Sequence, residues 1–313
     1  MSKGTLEERL ERLRQLRDAV PDDAALSTLR KVLRDRSNLI VTEAAKVIAH
    51  LSLHALIPDL LGAFDRLFEN PVKTDPKCWG KTAIVKTLSR LDYGESAPFI
   101  RGLHHIQMEP VWGGQEDAAL QLRALCALAL VACTDLSRNE VLRHLVNSMA
   151  DPADPVRLEA VRAVEQMNGD EAGLLLRLKA RIGDPRPAVI GQVFDSLLNL
   201  ERDGAIPFVA EQLKSASVEV RDEAALALGA SRLATAVSSL IETWKEAAEP
   251  EFRGILLRAL SSSRQASAIE FLLEIVRTGL SRDAESALDA LKLHESSPEI
   301  QAQVEEAQRE RNR

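Results

Sequence analysis

Apolar residues recur at intervals of three and four along most of the chain. Val141, Leu142, Leu145, Val146 and Met149 form one such stripe, which predicts an amphipathic helix. Similar stripes succeed one another, separated by short turns carrying Asp, Pro or Ser. Superimposed, the segments repeat. Residues 217–229 carry a Val-Arg pair followed by small residues at helical spacing, and comparable text stands at 151–164 and 122–130. With Val220 as marker, the equivalent positions are Ile40, Gly80, Leu122, Val156, Val189, Val220, Phe252 and Asp283, separated by 40, 42, 34, 33, 31, 32 and 31 residues. Asp35, Asp75, Asp117, Asp151 and Asp184 each stand five residues before a marker.

Each unit predicts two helices, the second opening near the marker. Asp-Pro at 151–152 and 184–185 reads as a helix start, because Asp caps orphan amides and Pro suits the first turn. Gly229 stands where a helix is expected to end. Ala44, Ala160 and Ala224, four residues past their markers, permit close helix approach, and Leu88, Leu130, Val164 and Leu228, eight past, fill the space between layers. One hairpin cannot bury its apolar face alone, whereas a stack buries a continuous core. The expected fold is all-α, a right-handed solenoid of about eight hairpins with no sheet.

The motif Asp-Pro-x-x-x-Val-Arg-x-x-Ala, seen at 151–160, resembles HEAT repeats, in particular the short HEAT-like subclass first associated with phycobilisome lyases. The resemblance extends over roughly residues 24–293 and is strongest in 137–230. It implies an α-α superhelix whose motif Asp and Arg bond between neighbouring turns, and whose second helices line an inner groove. Residues 24–293 are thus read as the repeat domain. Residues 1–23 are read as an N-terminal capping helix, opened by a Thr5–Glu8 capping box and stopped near Pro21. Residues 294–313 are read as a charged C-terminal cap.

Composition narrows the function. Hydrophobic residues make up 45% of the 313, which argues against disorder, and 4% aromatics argue against a β-sandwich. A net charge of −7 speaks against a nucleic-acid or anionic-membrane binder held by bulk charge. Cys78, Cys126 and Cys133 share no CxxC spacing and fit a reducing compartment. No apolar run is long enough to span a bilayer, and the first residues hold no apolar signal core, so the expected location is cytoplasmic.

Chemistry-bearing motifs are absent: no nucleophile elbow, Walker loop or dinucleotide fingerprint occurs. The adjacent His104 and His105 point about 100° apart on a helix, and His50 and His54 lack the glutamate of a zinc-protease motif. No catalytic, cofactor or metal residue is therefore assigned. The partner-binding candidates come from two places. Marker-plus-six positions should face the groove, giving Lys46, Lys86 and Arg162. The expanded connections at 69–81 and 107–117 contribute Trp79, Lys81, Trp112, Gly113 and Gly114, with Arg123 beside them. Each of these tryptophans either docks a partner or staples its own loop, and the two are expected on one edge. The function read from the sequence is a non-enzymatic scaffold for a protein or peptide partner. The resemblance also suggests a bilin lyase or chaperone, for which no tetrapyrrole groove is marked. It further suggests a HEAT-like alkylpurine DNA glycosylase, which needs a basic concave face at odds with the net charge.

Overall fold

The computed structural model describes residues 5–17 and 22–313, so the helix stop expected near Pro21 and the first four residues lie outside the described residues. Two compact units are present, residues 1–167 and 168–313. In the first, α1 (Leu6–Leu16) opens on the expected capping box. The Thr5 hydroxyl accepts from the Glu8 amide, and the Thr5 amide donates to the Glu8 carboxylate at 3.0 Å. Hairpins follow: α2 (Asp23–Leu33) with α3 (Asn38–His50); α4 (Ile57–Arg66), a single turn α5 (Pro71–Thr74), then α6 (Trp79–Arg90). Next come α7 (Ala97–Leu103) with α8 (Leu120–Leu130), and α9 (Arg138–Ser148) with α10 (Asp154–Met167). The second helices α3, α6, α8 and α10 pack side by side in that order.

The second unit pairs α11 (Gly169–Ile182) with α12 (Pro187–Glu201) and α13 (Ile206–Glu211) with α14 (Val218–Ala230). It also pairs α15 (Ala234–Glu246) with α16 (Pro250–Ser263) and α17 (Ala266–Thr278) with α18 (Ser281–Leu291). A last helix, α19 (Pro298–Arg311), packs on α17, and the second helices α12, α14, α16 and α18 again pack side by side in that order. No helix among the described residues is long and apolar enough to cross a membrane.

Packing follows the repeat register. Ala44, Ala160 and Ala224 are fully buried, as are Leu88, Leu130, Val164 and Leu228. Asp283, the one charged marker, is buried because Arg253 meets it at 2.7 Å. Four of the five repeated Asp residues prove to be turn formers rather than helix caps, while Asp75 accepts from the Gly80 and Lys81 amides in the first turn of α6. A carboxylate oxygen accepts from the amide two residues on, at 2.9 Å in Asp35, Asp117 and Asp184 and 2.8 Å in Asp151. These are Asx turns. Helices α10 and α12 start about one turn later, with Pro155 and Pro187 in their first turns. Gly229 lies inside the last turn of α14. A Cβ there would stand 2.2 Å from the Ala259 carbonyl oxygen, so the glycine is needed for contact with α16 rather than to stop the helix.

The expectation of no sheet needs correction. Met108–Val111 (β1) and Gly114–Asp117 (β2) form a two-stranded antiparallel ribbon between α7 and α8. Trp112 and Gly113 make its two-residue turn, and Gly113 has φ +91°, the left-handed value that glycine adopts at the second central position of such a turn.

Candidate functional site

The two expanded connections meet through a buried polar knot. Asp75, fully buried, accepts from the Gly80 amide at 2.7 Å, the Lys81 amide at 3.0 Å and Asn38 Nδ2 at 3.0 Å. It also meets Lys81 Nζ at 3.1 Å, which in turn donates to the Leu67 carbonyl at 3.1 Å. Gln107, from the connection that carries the ribbon, donates Nε2 to the Asp75 carbonyl at 2.8 Å. Its Oε1 lies 3.2 Å from Cys78 Sγ and 3.1 Å from His105 Nε2. The Lys77 amide donates to Glu109 at 2.6 Å. A buried charge persists only when paired and hydrogen-bonded, and each charge in the knot is so satisfied.

Lys81 is therefore not available to a partner, and neither is Arg123. The Arg123 guanidinium is buried between Asp117, at 2.6 Å, and Asp151, at 2.8 Å. Both side chains were drawn inward because the carboxylates preceding their helices needed counter-charges. Burial pushes the Cys78 thiol up to about 12, which leaves it protonated and unreactive near neutral pH. Burial also raises the Cys126 thiol, and pushes Cys133 up to about 11.

The two tryptophans take different places. Trp112 is fully exposed at the ribbon tip beside Gly113 and Gly114, so it staples nothing. Trp79 is 46% exposed and opens α6, where it joins a groove between α3 and α6. The two connections meet where the Lys77 amide bonds Glu109, but Trp112 is not among the groove's lining residues.

The groove has a volume of about 640 Å³. Thr42, Lys46 and His50 line it from α3, and Thr82, Lys86 and Arg90 from α6, with Ala49 and Ala83 below. These are repeat-equivalent sites: Thr42 and Thr82 stand two residues past their markers, Lys46 and Lys86 six, His50 and Arg90 ten. Among the described residues Lys46 has only Glu43, at 3.3 Å, and no ion pair engages Lys86 or Arg90. Arg162 does not line this groove; it lies on α10 and meets Glu159 at 2.7 Å. Reading the sequence missed His50 and Arg90. The marker-plus-ten column would have found them, because one further helical turn returns to the same face.

HEAT repeats match residues 175–261 and 206–292. That span covers the unit with the charged marker Asp283, and it overlaps the segment read as the strongest resemblance only from residue 175. Among solved structures, the chain is similar to human deoxyhypusine hydroxylase in complex with glycerol. The identity is 20% over 83% of this chain and 91% of that one, with a TM-score of 0.32. It is also similar to YibA of Escherichia coli, with 15% identity over 93% and 98% and a TM-score of 0.47. No curated protein sequence matches the chain. HEAT repeats are thus matched over residues 175–292, and the second helices stack in the same register in both units.

Proposed function

We propose that the chain is a non-enzymatic protein-interaction scaffold that receives a partner segment in the groove between α3 and α6. One observation carries the reading: Lys46, His50, Lys86 and Arg90 stand exposed in two facing rows, closed at one end by a half-exposed Trp79. Tryptophan and arginine are the residue types most enriched at interface hot spots, and a concave site with an apolar floor gives them desolvated surroundings. Trp112, with Gly113 and Gly114 at the ribbon tip, offers a second contact point. In this reading residues 1–23 and 294–313 cap a 24–293 repeat domain, and the protein works in the cytoplasm. The test is capture from native extract by the immobilised full chain, with bound proteins identified by mass spectrometry. The expected result is a partner retained by the natural chain and lost with Trp79→Ala. Identical retention by the two, in a variant that keeps its melting temperature, would remove the groove from the proposal.

A further inference from the structure

We infer that the groove between α3 and α6 takes an acidic, extended peptide segment; this rests on the scaffold reading above and names its partner chemistry. The basic side chains come in i, i+4 pairs, Lys46 with His50 on α3 and Lys86 with Arg90 on α6. On a helix that spacing is about 6 Å along the axis. In an extended chain, alternate side chains on one side lie about 6.6–6.8 Å apart. A strand running along the groove thus sets every second side chain opposite a basic side chain. Packed helices lie roughly 8–10 Å apart, so long Lys and Arg side chains from both rows can reach one strand between them.

The carboxylate inventory gives the sign. Among the described residues no acid lines the groove; Glu43 on α3 is mostly buried and reaches Lys46. Elsewhere in the same unit exposed arginines find carboxylates, as Arg9 does with Asp35 and Arg30 with Asp59. Lys86 and Arg90 have none among the described residues, and a ligand carboxylate would supply what the fold does not. The net charge does not oppose this. Residues 1–167 carry 22 Lys and Arg against 23 Asp and Glu, while residues 168–313 carry 18 against 24, so the acidity belongs to the other unit. At the far end, Lys77 lies over one part of the Trp79 ring at 5.2 Å, and the half-exposed indole remains able to pack an apolar side chain. A nucleic-acid backbone fits less well. The cationic stripe runs over α3 and α6 with Arg17 at the end of α1, and it ends at α8, where the marker-plus-six residue is Leu128.

The test uses the full chain and three fluorescein-labelled probes: a decapeptide of alternating Glu and Ser with one Phe, the same peptide with Lys for Glu, and a ten-nucleotide single-stranded DNA. Anisotropy titrations at low and physiological salt should show binding of the Glu peptide alone, weakening as salt rises. The double variant Lys86→Glu/Arg90→Glu should weaken it by about tenfold or more. Lys214→Glu, on the other unit, should leave it unchanged. Both groove side chains are exposed and unpaired, so folding should survive, and Lys86→Gln/Arg90→Gln provides a milder version. Equal binding of the Glu and Lys peptides, tighter binding of the DNA, or indifference to the charge-reversed groove would each overturn the inference. Trp79-dependent binding of the Lys peptide would overturn it while leaving the scaffold reading standing. Binding of the Glu peptide with no partner captured from extract would instead count against the scaffold reading.

Discussion

Arg123 of α8 grips Asp151 of the following hairpin with two near-parallel bonds, Nε to Oδ2 at 2.8 Å and Nη2 to Oδ1 at 3.1 Å. Its remaining nitrogen, Nη1, donates to Asp117 at 2.6 Å in its own turn and to the His105 carbonyl at 3.1 Å. One planar guanidinium thus ties two consecutive repeats, a task for which its fixed fork suits it better than a lysine. Asp151 meanwhile holds its own turn through the Ala153 amide. Asp151→Ala removes both, and should destabilise the unit by about 3 kcal/mol, since breaking one side of a buried pair leaves the other charge partly uncompensated. Urea unfolding followed by circular dichroism measures it. Partner capture should persist at temperatures where the variant is folded; normal stability with lost capture would make Asp151 a binding residue.

The Asp75–Lys81 pair is deeper, and its two members are not equivalent. Lys81 has the Asp75 and Leu67 contacts, whereas Asp75 also accepts from two backbone amides and Asn38. Asp75→Ala should therefore cost about 3–5 kcal/mol, because it strands a buried ammonium and several donors. Lys81→Met keeps most of the aliphatic stem and should cost less. The same unfolding experiment ranks them; a Lys81→Met variant less stable than Asp75→Ala would show that the lysine, not the carboxylate, organises the knot.

The repeat architecture was legible because its signal is redundant: Ala at one offset and Leu or Val at another recur across the markers, so no single departure hides the period. The fate of Lys81 and Arg123 was not legible. Their positions in the repeat suit either a solvated cation or an inward rung. What decides is the pair of expanded connections, which carry Asp75, Gln107 and Asp117 in over those helix starts. Such contacts join residues about 30 apart in sequence and leave no local pattern. The ribbon at 108–117 escaped for another reason. Its strands have four residues each, too few for an alternation to register, and the one usable sign was Gly113 at the turn. Lys46 and Lys86 were visible from the repeat register alone, because that register sets which helix face is solvated.

Histidines give the first unit a dependence on mild acid. Burial lowers the pKa of His105 below its ordinary value, and burial together with neighbouring His104 does so for His144. In the unfolded chain each titrates near about 6.5. Between the folded and unfolded values the unfolded chain binds more protons, so stability rises with pH there. The contribution is complete above about pH 6.5 and is lost as pH falls through the lower folded values. Unfolding midpoints should thus drop between pH 7.5 and 5.5, and His105→Gln/His144→Gln should flatten that slope. An unchanged slope would show that other groups govern the response.

The tryptophans offer a last test, because Trp244 is buried in the fold and Trp112 is fully exposed. Trp244 of α15 is 7% exposed, stacked edge-on against Phe271 with centroids 5.3 Å apart. The Arg253 guanidinium lies 3.7 Å from its ring and also holds Asp283. Removing that ring opens a cavity beneath a paired arginine, so Trp244→Ala should cost about 3–5 kcal/mol. Trp112 has no such surroundings at the ribbon tip, and Trp112→Ala should fall within about 0.5 kcal/mol of the natural chain. Fluorescence separates the two in the same samples: Trp112→Ala should remove long-wavelength emission from a water-exposed indole, and Trp244→Ala the shorter-wavelength part. Denaturation midpoints then rank stability independently of the spectra. If Trp112→Ala unfolds as early as Trp244→Ala, the ribbon tip is packed in solution, and its candidacy as a contact point ends.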